Sequence, residues 1–188
     1  VPGLVAGVVE IHKKYGSLPL ETIMGPAIDL AKNGFQIYPE LSKAIAYKKN
    51  DLAKFPASKK IFFGKEGAPL KTGDLLIQND LAKTLREIAK TGRDGFYKGW
   101  VGKAIKRVSK KYQGLLSKKD LDSYNVKYRE PIKGTYKGYK IYSMSPPSSG
   151  GIHVIQILNI LEKDDLKRFG IHHPQSVHLI SSAMQAAF

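Results

Sequence analysis

The sequence predicts an α+β, mainly helical chain: a helical lobe over residues 1–124, then a strand-and-helix unit over residues 125–188. Three observations predict it. Up to Tyr124, apolar residues recur at roughly helical spacing between Gly and Pro breakers. Beyond it, β-branched and aromatic residues gather in short runs. The stretch Tyr139-Lys140-Ile141-Tyr142-Ser143-Met144-Ser145-Pro146-Pro147 reads as a strand stopped by two prolines, because proline fixes φ and cannot sit in a central strand.

The elements follow in order. Residues 1–16 suit a first helix, with Pro2 and Gly3 at its start, Val5, Val8, Val9 and His12 on one face, and Gly16 as its stop. Residues 21–33 suit a second, carrying Ile23, Ala27, Ile28 and Ala31. Pro26 inside it either kinks it or begins its body, and Asn33-Gly34 ends it. Residues 39–55 form a third, amphipathic through Leu41, Ala44, Ile45 and Leu52. Residues 56–73 read as loop, anchored by Ile61-Phe62-Phe63. A fourth helix spans 80–90 with Leu81, Leu85 and Ile88 inward. A fifth spans 100–112, with Val101, Ala104, Ile105 and Val108 opposite Lys103, Lys106, Arg107, Lys110 and Lys111. Ser117-Lys118-Lys119-Asp120 resembles a capping box, Leu116 and Leu121 are spaced for a staple, and a short sixth helix follows. Residues 126–129 and 136–143 read as strands separated by Pro131 and Gly134. Residues 151–161 are apolar nearly all round, so that helix is expected to be buried on several sides. Residues 176–188 read as a helix still in progress, with Val177, Ile180, Met184 and Phe188 in register, and the chain looks truncated there; Val1 is not a native start.

Composition narrows the function. The 188 residues are 42% hydrophobic, enough for one domain or two small ones, and no run reaches the length of a membrane span. The absence of cysteine excludes disulfides, cysteine-zinc sites and cysteine nucleophiles within the chain. A net charge of +15 raises nucleic-acid binding, but 26 lysines against 5 arginines argue against it, since phosphate and base forks favour arginine. The charge reads as a solvated lysine-rich surface, or as one offset by an acidic partner.

Candidate chemistry centres on Ser148-Ser149-Gly150-Gly151 after the Pro-Pro bend. One reading is a strand-to-helix corner with Ser149 as N-cap. The other is an anion-holding end, where free N–H groups and the positive end of the helix dipole face outward. Ser148 or Ser149 as nucleophile needs a base in reach. His153, four residues on from Ser149, more naturally satisfies a core hydrogen bond. Rigid support of a neighbouring active site is the stronger role for the bend. The histidines His172, His173 and His178 are badly spaced for a shared metal, and loop polarity or helix capping accounts for them. The carboxylate pairs Asp164-Asp165 and Asp120/Asp122 face no evident cleft, and the glycines of 65–73 lack phosphate-loop spacing. No metal or cofactor is expected.

The ordered motifs carry a resemblance. Val1-Pro2-Gly3 with Val5-Ala6-Gly7, Tyr15-Gly16-Ser17-Leu18-Pro19-Leu20, Pro26-Ala27-Ile28 with Leu30-Ala31 and Gly34-Phe35, Gly95-Phe96-Tyr97-Lys98-Gly99, Leu116-Ser117-Lys118-Lys119-Asp120-Leu121, Tyr136-Lys137-Gly138-Tyr139, Pro147-Ser148-Ser149-Gly150-Gly151 and Gln156-Ile157-Leu158-Asn159-Ile160-Leu161-Glu162 stand in the order found in γ-glutamyltranspeptidase large subunits. The chain resembles that family from Val1 to about Phe188. Ser145, where many relatives have a third proline, and Gln113-Gly114, where a Gly pair is common, are local departures.

The resemblance implies the start of the αββα sandwich of N-terminal-nucleophile hydrolases. It implies γ-glutamyl transfer from glutathione or other γ-glutamyl compounds, self-cleavage of a precursor, a small catalytic subunit as partner, and a periplasmic or extracellular place. The family's nucleophile is a threonine in a Thr-Thr-His context. None of Thr22, Thr72, Thr84, Thr91 and Thr135 has it, and Val1 has no hydroxyl. The family's substrate-carboxylate arginine lies upstream of its Val-Pro-Gly segment. No catalytic residue is therefore assigned within this chain, which is expected to be inactive alone. A basic helical binding module, a related acylase and a poly-γ-glutamate-processing enzyme are the alternatives.

Overall fold

A computed structural model describes residues 2–170 and 172–188. The chain is α+β and mainly helical, and it divides into two compact units, Val1–Val126 and Lys127–Phe188.

The first unit opens with α1 (Leu4–Tyr15) and α2 (Leu20–Asn33). Pro26 sits inside α2, which runs on through it. Gly34, at φ 84°, ends α2, and β1 (Phe35–Gln36) pairs antiparallel with β2 (Leu75–Leu76), a minimal sheet that hydropathy does not announce. The expected single helix over 39–55 is two, α3 (Pro39–Tyr47) and α4 (Lys49–Ala53). The break is at Lys48, whose backbone (φ −93°, ψ 10°) leaves the helical region. The expected loop after 56 instead begins as α5 (Pro56–Phe62). Proline forces the preceding Phe55 into extended backbone and itself suits the first helical position. Ile61 and Phe62 do anchor this segment, packing on the buried Ile37, Ile45 and Leu76.

Next come α6 (Asn79–Thr91), the short unforeseen α7 (Arg93–Tyr97), α8 (Trp100–Lys111) and α9 (Lys118–Ser123). Buried on α6 are Ala82, Ile88 and Ala89, while Leu81 is exposed; α6 lies along α2, whose one buried residue is Ala31. Small side chains let two backbones approach, so alanine rather than leucine sets the contact face. Similarly, α1 buries Ala6 and leaves Val8 exposed. Ser117 and Asp120 make the reciprocal capping box in full: the Asp120 carboxylate accepts from the Ser117 N–H at 2.8 Å, and the Ser117 hydroxyl accepts from the Asp120 N–H at 3.3 Å.

In the second unit, β3 (Ile132–Tyr136) and β4 (Tyr139–Ser143) form a hairpin. The strand expected over 126–129 is absent: Val126 packs against a hydrophobic cluster of the first unit's core instead of joining a ladder. The strand expected over 136–143 is interrupted by a two-residue turn at Lys137 and Gly138, both at positive φ (46° and 85°), which matches the twist of the strands it joins. The Glu162 carboxylate holds Lys137 there by accepting its N–H at 2.8 Å, and its Nζ donates to the Asp164 carbonyl at 2.6 Å.

Next is α10 (Gly150–Ile160), continued by a 3₁₀ turn at Leu161–Lys163, then α11 (Leu166–Phe169) and α12 (Pro174–Ala187). The hairpin and α12 both pack on α10. Even so, Ile152, Val154 and Ile160 are 44–45% exposed and only Gly151 of α10 is buried, so the expected burial on several sides is not met within this unit. On α12 the buried residues are Ser176, Ala183 and Ala187, whereas Val177, Met184 and Phe188 of the expected face are exposed.

Candidate functional site

The corner between β4 and α10 is set by the sequence Ser145–Gly151. The strand ends at Ser143, the Pro146–Pro147 bond is cis, and the helix begins at Gly150. Gly151 is buried against the backbone of Met144, where an added Cβ would lie 2.2 Å from the Met144 carbonyl oxygen. No other residue type fits so close an approach. The neighbouring Gly150 is exposed and has room for a side chain.

The expected cap is displaced by one residue. Ser149 occupies the N-cap position in helical backbone (φ −79°, ψ −20°), and its side chain makes no capping bond. The half-buried Ser148 hydroxyl accepts from the Gly150 N–H at 3.4 Å. N-capping by a side chain needs extended backbone at the cap residue, and Ser149 does not have it. His153 also departs from expectation. Its ring meets Phe188 edge-on at 4.1 Å between centroids, and its buried Nδ1 has no hydrogen-bond partner among the described residues. The core hydrogen bond expected of it is replaced by an aromatic contact. No hydrogen bond joins the ring to Ser148 or Ser149 among the described residues. An open groove of about 500 Å³ runs along β3 and α10, edged by Ile132, Ile152, Ile155 and Ile160.

The remaining sequence candidates lie apart from this corner. His173 Nδ1 accepts from the Gln175 N–H at 3.2 Å, capping α12, and its ring stacks on Phe169; His172 and His178 are exposed. Asp120 belongs to the capping box, and Asp122 is paired with Lys118. Hydrogen bonds from the Ser117 side chain and then its N–H lower the Asp120 carboxyl below its usual value.

The most connected polar residues are ones for which sequence reasoning assigned no role. In the first unit, the hydroxyl of the buried Tyr97 donates to the Pro2 carbonyl at 2.7 Å and accepts the Ala6 N–H at 3.2 Å. Gly3 at the N-cap of α1 offers no side-chain cap, so a tyrosine 91 residues away satisfies an orphan donor of the first turn. Burial raises the Tyr97 pKa, outweighing the Ala6 N–H bond, so the hydroxyl keeps the proton it donates. Arg93 lies over the Tyr97 ring at 5.0 Å and donates to the carbonyls of Asp122 and Tyr124. Tyr97 stacks on Tyr124, and Leu121 completes the cluster. Three of the ordered sequence motifs, around Pro2, Tyr97 and Leu121, therefore meet in one place. Their order along the chain was legible, but their convergence was not.

Comparison with known proteins decides the family. The family model described as Gamma-glutamyltranspeptidase matches residues 1–188, the whole chain. The chain belongs to the γ-glutamyltranspeptidase family. It is 42% identical over 187 residues to the Glutathione hydrolase proenzyme of Escherichia coli, covering 100% of this chain and 32% of that protein. To the Acylase ACY 1 proenzyme of a Pseudomonas species it is 40% identical over 188 residues, covering 34% of that protein. The solved γ-glutamyltranspeptidase of Helicobacter pylori superposes with a TM-score of 0.95 at 46% identity, covering all of this chain and 54% of that one. The chain thus spans about a third of the length of these curated relatives. Its match falls in the large-subunit region of the γ-glutamyltranspeptidases, and no helix of the described residues is long and apolar enough to cross a membrane.

Proposed function

We propose that residues 1–188 are the middle-to-late portion of the large subunit of a γ-glutamyl acyl-transfer enzyme that matures from one precursor. The carrying observation is the TM-score of 0.95 to the Helicobacter pylori γ-glutamyltranspeptidase over the full chain. In this reading a threonine freed by self-cleavage, at the start of a separate small subunit, supplies the nucleophile. Its α-amine takes the hydroxyl proton, and the oxygen attacks the γ-glutamyl carbonyl of glutathione or a related compound. The amine leaves with a proton, and the resulting ester is opened by water or by an amino acid. The protein acts in the periplasm or outside the cell.

The two units have different tasks in this reading. Residues 1–124 make a helical lobe, and 125–188 supply an edge of the sandwich that meets the catalytic subunit. Ser148, Ser149, Gly150 and Gly151 form the rigid corner that supports it, or that receives an anionic group at the start of α10. The 40% identity to an acylase favours one second reading, the same ester chemistry on a different acyl group. The test is turnover of a γ-glutamyl anilide. The full-length protein is expected to release the aniline and the 188-residue chain to release none. A full-length, processed protein that turns over only an acylase substrate would establish the second reading. Turnover by the 188-residue chain at the full-length rate would overturn both.

A further inference from the structure

We propose that α8 presents a cationic stripe that adsorbs the protein onto an anionic phospholipid surface. Lys103, Lys106, Arg107 and Lys110 are all exposed, and helical geometry places them within about 100° of one another and along about 10 Å of axis. No acidic residue lies on α8. None of the four cations takes part in a hydrogen bond or ion pair among the described residues. The carboxylates of the helices packed against α8 are already engaged: Asp94 of α7 by Arg93 and Lys98, and Asp120 and Asp122 of α9 by Ser117 and Lys118. On the side away from the stripe Val101 is buried and Val108 is half exposed, whereas all four cations face solvent.

Two features favour a lipid surface over nucleic acid or an acidic protein. Three of the four cations are lysines, point charges suited to a plane of phosphates and not to the bidentate forks that single out bases or carboxylates. Beyond the C-terminal end of the same helix, Leu115 is 97% exposed, while the Tyr112 ring meets Phe55 edge-on at 5.8 Å. An isolated, fully presented leucine just past a run of lysines is the composition of an interfacial helix end. The chain's net charge of +15 adds long-range attraction.

The test is co-sedimentation of the full-length protein with vesicles of equal parts phosphatidylcholine and phosphatidylglycerol, against pure phosphatidylcholine. Binding is expected to the mixed vesicles alone and to weaken with added salt. The triple variant Lys103→Glu, Lys106→Glu, Lys110→Glu is expected to lose roughly 100-fold in partition. A charge-matched control, Lys32→Glu, Lys43→Glu, Lys90→Glu, is expected to lose less than about tenfold, with circular dichroism verifying both folds. Equal losses in the two variants would overturn the assignment to α8. Absence of vesicle binding at low salt would overturn the proposal outright, whether or not a single-stranded RNA or poly-glutamate probe is captured instead.

Discussion

Tyr97 of the first unit and α10 of the second both come from motif-rich stretches, yet their surroundings are opposite. Around Tyr97, a buried ring, two hydrogen bonds and a cation over its face close a cluster using residues of the same unit. Around α10, a helix apolar on nearly every side leaves Ile152, Val154 and Ile160 almost half exposed beside an open groove. The difference teaches that motif density does not report self-sufficiency. The first cluster satisfies its own polar groups, whereas the second carries apolar surface in excess of what its unit covers.

The largest expected effect breaks the closed side of this contrast. Tyr97→Ala removes a buried aromatic ring and both of its hydrogen bonds, and is expected to cost about 3–5 kcal/mol in urea unfolding. Tyr97→Phe keeps the ring and leaves the Ala6 N–H and Pro2 carbonyl without that partner, costing about 1–3 kcal/mol. A loss under about 0.5 kcal/mol for both would mean the cluster is not what secures α1.

On the other side, Gly151→Ala drives a methyl group into the Met144 carbonyl and is expected to cost about 1–3 kcal/mol. Gly150→Ala, one residue earlier, is expected to be neutral or to gain up to about 1 kcal/mol, because its position is open and alanine is the better helix former. The two melting temperatures, compared directly, separate close backbone approach from a general need for glycine.

Ser117→Ala removes the hydroxyl half of the capping box, at an expected cost of about 1 kcal/mol. Exchanging Ile152 and Val154 for serine sharpens the contrast most directly. In the 188-residue chain each is expected to change stability by less than about 0.5 kcal/mol, as at an exposed site. In a full-length protein that covers α10, each is expected to cost about 2 kcal/mol or more. Equal small effects in both would mean that α10 stays uncovered.

The smallest effect is a pH dependence. The native Asp120 pKa is lowered by the Ser117 bonds, so its stabilising contribution is present above the unfolded carboxyl value and is lost as pH falls through the native one. Stability measured from neutral to acid pH is expected to fall less steeply below about pH 4 in Asp120→Asn than in the parent. Identical slopes would remove Asp120 from the acid response.

The sequence by itself determined what is settled within one turn of chain. Gly34 ended α2, Ser117 and Asp120 capped α9 at the expected spacing, and the prolines after Ser145 stopped a strand before an apolar helix. Backbone sterics and hydrogen bonds over three or four residues fix such features, and the ordered motifs fixed the family. Tertiary structure alone decided the faces and the partners. On α6 two alanines joined Ile88 in the contact surface while Leu81 stayed outside it, and on α12 two alanines and a serine formed it, because close approach depends on size and not on apolarity. Lys137 took a left-handed turn that no propensity assigns to lysine, held there by Glu162 and Asp164. At the candidate corner, the need for a small residue at Gly151 was legible, but the freedom at Gly150 and the choice of Ser148 over Ser149 as acceptor were not, since they follow from the packing and the backbone angle it imposes. Tyr97 found Ala6 and Pro2 across 91 and 95 residues, a distance over which local chemistry carries no signal and only the folded chain brings donor to acceptor.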